Sequence, residues 1–136
     1  MAEKLQLEMV TPYRKILSEQ VEEVTAPGTT GEFGILPGHT PLLTTLNIGE
    51  LTYIQDAKNF RVAVNWGYVE VENNTVTVLV ETAEAADQID LERAKAALGR
   101  AEEALKTLDS EDKQYKIMDA ALRRAIIRIQ IAGKGL

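Results

Sequence analysis

The chain of 136 residues contains no cysteine, one histidine, one tryptophan and two phenylalanines. Without thiols there is no disulfide framework and no thiolate metal site, which is compatible with a reducing cytosol. A single imidazole makes a zinc or iron centre of histidines implausible. No segment approaches the ~20 consecutive apolar residues of a membrane-spanning helix, so any membrane connection is expected to run through a partner. The opening MAEKLQLEMV alternates polar with apolar residues and lacks the charged-then-apolar order of a secretory signal. A net charge of −6 argues against a dedicated nucleic-acid binder, whose affinity rests on neutralising phosphates.

The charge that is present is unevenly placed. Residues 1–109 carry 9 Lys/Arg against 18 Asp/Glu, whereas residues 110–136 carry 6 against 3. A basic tail on an acidic body asks for an explanation. The length fits one domain, or one domain with a small appendage.

Up to residue 85 the pattern is that of strands. Leu5, Leu7 and Met9 alternate with Gln6 and Glu8 until Thr11-Pro12 breaks the run. The runs 51–54, 61–64 and 67–71 are rich in β-branched and aromatic residues. Asn73-Asn74, which tolerate left-handed φ, predict a hairpin between 68–71 and 75–80. Short strands at close spacing predict a compact sandwich or barrel. The period then changes: Leu91, Ala94, Leu98, Ala101, Leu105 and Leu108 form one helical stripe, with Asp90 as N-cap. Asp109 or Ser110 is placed to cap a second helix with the stripe Tyr115, Met118, Leu122, Ala125 and Ile129, ended by Gly133 and Gly135. Two stripes joined by a short turn predict an antiparallel helical hairpin, with alanines permitting close approach.

The segment 31–43, GEFGILPGHTPLL, packs three glycines and two prolines around Glu32 and His39. It reads as a rigid shaped loop, anchored by Phe33, Ile35, Leu36, Leu42 and Leu43, and as a presented surface instead of a catalytic pocket. This segment, and the chain as a whole, resembles the epsilon-subunit family of bacterial F-type ATP synthase. The resemblance implies a mainly β plus α fold, with an N-terminal β-sandwich over 1–86 that couples the rotor and a C-terminal antiparallel two-helix hairpin over 87–136 that regulates it. It implies a non-catalytic central-stalk subunit, coupling the gamma shaft to the membrane c-ring and restraining ATP hydrolysis through its helices. Its implied place is peripheral, on the cytoplasmic face of the bacterial inner membrane, with gamma, the c-ring, and beta and alpha of the catalytic head as partners. No nucleic acid and no required cofactor are expected, with ATP as a regulatory ligand.

The resemblance also assigns residues. Glu32 is the first candidate for c-ring contact and His39 the second, with Pro37, Gly38 and Pro41 setting the loop's shape. The bland reading of His39 is a hydrogen bond to a neighbouring carbonyl. The run 89–94, IDLERA, matches a family pattern associated with ATP binding, which makes Ile89, Asp90, Arg93 and Ala94 candidate ligand residues. Arg100, Arg124 and Arg128 would supply further guanidinium groups to a triphosphate, assisted by Glu84. Against that stand the ordinary N-cap role of Asp90 and the usual solvation of exposed arginines. Lys116, Arg123, Arg124 and Arg128 are the candidate inhibitory contact with an acidic segment of beta, flanked by Lys113 and Lys134; their bland reading is a solvated helix face. Trp66, Tyr68 and Leu43 are candidate gamma contacts. The alternatives are a stand-alone ATP-sensing module, then a small metal-dependent barrel enzyme, for which ligands are lacking, then a nucleic-acid module.

Overall fold

Alternation of large aliphatic residues with polar ones dictates a sheet with one buried face. The computed structural model, which describes residues 3–134, shows eight strands followed by two helices. The strands are β1 (Leu5–Val10), β2 (Lys15–Val21), β3 (Glu23–Gly28), β4 (Gly31–Ile35), β5 (Leu42–Leu46), β6 (Gly49–Gln55), β7 (Lys58–Glu72) and β8 (Thr75–Ala85). Pairing is antiparallel except for β1 beside β8, which is parallel. The order is β2-β1-β8-β7-β5-β3-β4, with β6 joined to β3 and to β7.

Long β7 folds this sheet into a sandwich. Its first half pairs with β6 and its second half with β5, so 61–64 and 67–71 are halves of one strand and not two strands as the sequence suggests. The passage between them lies at Trp66, whose φ of 25° departs from strand geometry. Leu5, Leu7, Val24, Ile35, Leu51, Val69 and Val78 are fully buried between the layers. At ~25 cal/mol per Å² of apolar surface removed from water, this core is the main source of stability.

Turns follow from residue chemistry. Asn73 and Asn74 have φ of 50° and 60°, the left-handed pair of a tight hairpin turn. Asp56 and Ala57 do the same between β6 and β7, with φ of 53° and 65°, although alanine is no turn former. The segment 31–43 is less of a loop than expected, since β4 and the start of β5 occupy its ends. What is left is a turn at Leu36–His39, with Pro37 fixing one φ, Gly38 taking φ 88°, and the His39 N–H donating to the Leu36 carbonyl at 3.1 Å.

After a 3-10 turn at Ala86–Gln88 come α1 (Leu91–Thr107) and α2 (Lys113–Lys134). Asp90 caps α1, its carboxylate accepting from the Arg93 N–H at 3.1 Å. The cap of α2 is Asp112, which accepts from the Gln114 N–H at 2.8 Å; Asp109 instead folds the connecting turn by accepting from the Glu111 N–H. Asp112 immediately precedes Lys113, the first helical residue, whereas Asp109 and Ser110 lie further up the chain than an N-cap can. Gly133 does not end α2, which continues to Lys134; Gly135 lies outside the described residues. Helix α2 has two contact faces. Ala125 is buried towards α1, on the stripe of Met118, Leu122 and Ile129, while Ile131 is buried against the sandwich with Ala63 and Ala86.

Candidate functional site

One end of the sandwich presents the turn at Leu36–His39. The Gly38 N–H donates to Asn74 Oδ1 at 2.7 Å, which ties this turn to the β7–β8 hairpin and fixes its position. His39 Nδ1 lies 2.7 Å from the Thr40 carbonyl, a bond that holds the local backbone. Glu32, on β4, is exposed and shares a concave surface with His39, Phe33 and Leu42. Glu32 and His39 thus face one hollow, with Pro37 and Gly38 in the turn that ends at His39.

The outer face of the sheet carries apolar residues where solvent should meet polar ones. Across the strands, Val10 of β1 lies beside Leu79 of β8, which pairs with Tyr68 of β7, which pairs with Thr45 of β5. Tyr68 is 55% exposed, Leu79 48% and Trp66 42%. With Pro12 they line a shallow apolar hollow, and Leu43 lies exposed on neighbouring β5. Clustered exposed aromatics mark an interaction surface. In sequence Leu79 reads only as part of the strand 75–80 and not as a contact; its strand alternation with buried Val78 and Val80 was the available signal.

The junction of hairpin and sandwich holds most of the remaining candidates. Ile89 is half-buried against Ala63, Ala86 and Ile131, and Ala94 is buried on α1 towards α2. Asp90 and Arg93 are exposed at the first turn of α1. Arg128 Nε lies 3.3 Å from Glu84 Oε1 of β8. Arg124 and Arg128 line a crevice against β7 with Asn65, Thr82 and Ile48, whose cavity of about 10 Å³ admits a water but no triphosphate. Asn65 Oδ1 is buried there without a hydrogen-bond partner among the described residues.

Arg100 does not join this group. It lies on the outer surface of α1 with Ala96, Gly99 and Glu103, so the guanidinium groups of α1 and α2 are not gathered around one cavity. The basic residues of α2 divide likewise. Lys116 and Arg123, seven apart, face solvent, with Arg123 paired to Asp119 at 3.7 Å, whereas Arg124 and Arg128 turn to the sandwich. Glu50 was not picked out from the sequence, because one of its cationic partners, Lys134, is 84 residues away; another, Arg61, sits on the adjoining strand.

Among the described residues, no helix is long and apolar enough to cross a membrane. Comparison with known proteins covers the whole architecture. Residues 4–86 match the family described as ATP synthase delta/epsilon chain, beta-sandwich domain, and residues 87–133 match its long alpha-helix domain. The chain is 67% identical over 134 residues to an ATP synthase epsilon chain of Geobacter sp. (strain M21), covering 98% of this chain and 97% of that one. It is 68% identical to the corresponding chain of Geobacter metallireducens, with the same coverage. Among solved structures, a chain of the Euglena gracilis mitochondrial ATP synthase shares the fold with a TM-score of 0.76 at 24% identity, over 96% of this chain and 81% of that one.

Proposed function

The chain belongs to the ATP synthase delta/epsilon family, and from that premise we propose that it is the non-catalytic epsilon-type subunit of the rotor, with a sandwich that transmits torque and a hairpin that regulates hydrolysis. The observation that carries the coupling role is the exposed apolar row of Trp66, Tyr68 and Leu79, which an acidic domain otherwise has no reason to leave in water. In this reading the gamma shaft covers that row and Leu43. The hollow of Glu32 and His39, at the end built by Pro37 and Gly38, meets the polar loops of the c-ring, where a carboxylate seats on cations or amides. The subunit then sits peripherally on the cytoplasmic face of the inner membrane, held there by its partners.

The hairpin supplies the regulation. Lys116 and Arg123 face solvent and are available to an acidic segment of beta, while Arg124 and Arg128, turned to the sandwich, become available to that segment only when α2 leaves the sandwich. ATP is the proposed regulatory ligand. It would bind on the open side of the junction formed by Ile89, Asp90, Arg93 and Ala94, drawing Arg128 or Arg124 to its phosphates and so favouring the docked hairpin by its greater affinity for that state. Arg100 stands outside such a site unless α1 rearranges.

The test is ATP hydrolysis by a reconstituted catalytic head at low and high ATP, with the full-length chain or with a chain ending at Gln88. Inhibition by the full-length chain alone, relieved at high ATP, is the expected result. Equal rates with both chains would remove the regulatory half of the proposal and leave the coupling half standing.

A further inference from the structure

The apolar contact fastening the hairpin to the sandwich is small. Ala63, Ala86 and Ile131 are buried there, with Ile89 and Ile127 half-buried, as a cluster separate from the sandwich core. Two of the three buried members are alanines, which remove little surface from water. Charge adds to the fastening. Lys134 Nζ lies 2.9 Å from Glu50 Oε2, and Arg61 Nε lies 3.1 Å from Glu50 Oε1, which is buried without an aligned hydrogen bond among the described residues. The Glu50 side chain is 23% exposed, so it is far from fully screened. Nearly two turns earlier on α2, Arg128 meets Glu84 at 3.3 Å. Arg128, Ile131 and Lys134 recur every three residues, so the two cations flank the one fully buried isoleucine of this cluster.

We propose that Glu50 of β6 and Glu84 of β8 form an electrostatic latch, receiving Lys134 and Arg128 and holding the last two turns of α2 on the sandwich. The latch makes docking of the hairpin salt-dependent and separable from folding of the sandwich, whose core contains neither pair. It also has a consequence for exchange of partners. Arg128 and Lys134 are neutralised at home while the latch is closed, so an external acidic surface competes with Glu84 and Glu50 for the same cations. That consequence rests on the regulatory reading above, whereas the latch is tested on the chain alone, so each can fail without the other.

The experiment is amide hydrogen exchange of the intact chain, comparing wild type, Glu50→Gln, Glu84→Gln and the double variant, at about 50 mM and about 500 mM salt. Peptides from 121–134 should exchange about fivefold faster in the double variant, and faster in wild type at the higher salt. Peptides from β1 should be unchanged in all. Lys134→Gln, at the exposed end of α2, opens the Glu50 pair from the other side and should itself speed exchange across 121–134 with β1 unchanged, so the pair is tested even if Glu50→Gln fails to fold. Unchanged exchange across 121–134, or an equal rise in β1 and α2, would overturn the latch.

Discussion

Gly67 shows how little room a single position has. A Cβ there would collide with the Leu79 carbonyl of the adjoining strand, a backbone atom that cannot swing aside. Gly67→Ala is therefore expected to destabilise the sandwich by about 2 kcal/mol or more, read as a lower midpoint in urea unfolding. Nothing in the sequence announces this, because the collision is with a strand contributed from twelve residues further on. Asp90 is the opposite case: its capping role is legible from its place before an apolar stripe, and its carboxylate does accept from the Arg93 N–H. Asp90→Ala should cost about 1 kcal/mol of stability, while Asp90→Asn should cost little, since an amide oxygen caps as well. A nucleotide-binding role would separate the two measurements. Asp90→Asn would then leave the thermal midpoint unchanged without ligand and diminish the rise produced by ATP.

Individual elements were legible where one physical signal dominated. β1 and the two helices follow from periods of two and 3.6 residues, and Asn73-Asn74 mark their hairpin. The 31–43 segment was harder to read, because its glycines and prolines resemble loop composition although Gly31–Ile35 pairs with β3 as a strand. β7 was divided in two for the same reason: Asn65-Trp66-Gly67 looks like a break but is the place where a continuous strand changes partners. The β6–β7 hairpin was hidden by Ala57 in its turn. That hairpin stacks Tyr53 on its cross-strand partner Phe60, with ring centroids 5.1 Å apart. Burial first, then the charges of Glu19 and Asp87, raise the Tyr53 pKa above the ordinary value of ~10. In the unfolded chain this phenol loses its proton at lower pH than in the folded protein. Its contribution to stability is therefore complete below about pH 10 and is lost as pH rises from there through the folded-state pKa. Tyr53→Phe should remove that part of the alkaline decline, seen by comparing denaturant midpoints of the two proteins between about pH 9 and 11.

At the scale of the whole molecule, the charge asymmetry of the sequence resolves into an arrangement in space. The basic end of α2 lies on the acidic sandwich, where Glu50 and Glu84 receive it, so tail and body are complementary within one chain. The sequence carried the asymmetry but not the pairing, which depends on contacts between residues 84 apart in the case of Glu50 and Lys134. The opposite holds for the apolar row on the outer sheet face. Trp66 and Tyr68 stood out in sequence as large aromatics, and only the register of β1, β8, β7 and β5 puts Leu79 between Tyr68 and Val10 to make a continuous surface. Tyr68→Glu places a charge in the middle of that row at a position already 55% exposed, so the isolated chain should keep its fold and its unfolding midpoint. If the row is covered by the rotor shaft, the same substitution desolvates an unpaired carboxylate in the complex and should weaken association with the gamma-containing head by about tenfold or more, measured by titration of the head with labelled chain. Thr77→Glu, on the same outer face but beside Glu8 and Glu70, supplies the control for charge alone and should change that affinity much less. Equal losses from the two substitutions would mean that overall charge, and not the apolar row, governs the attachment.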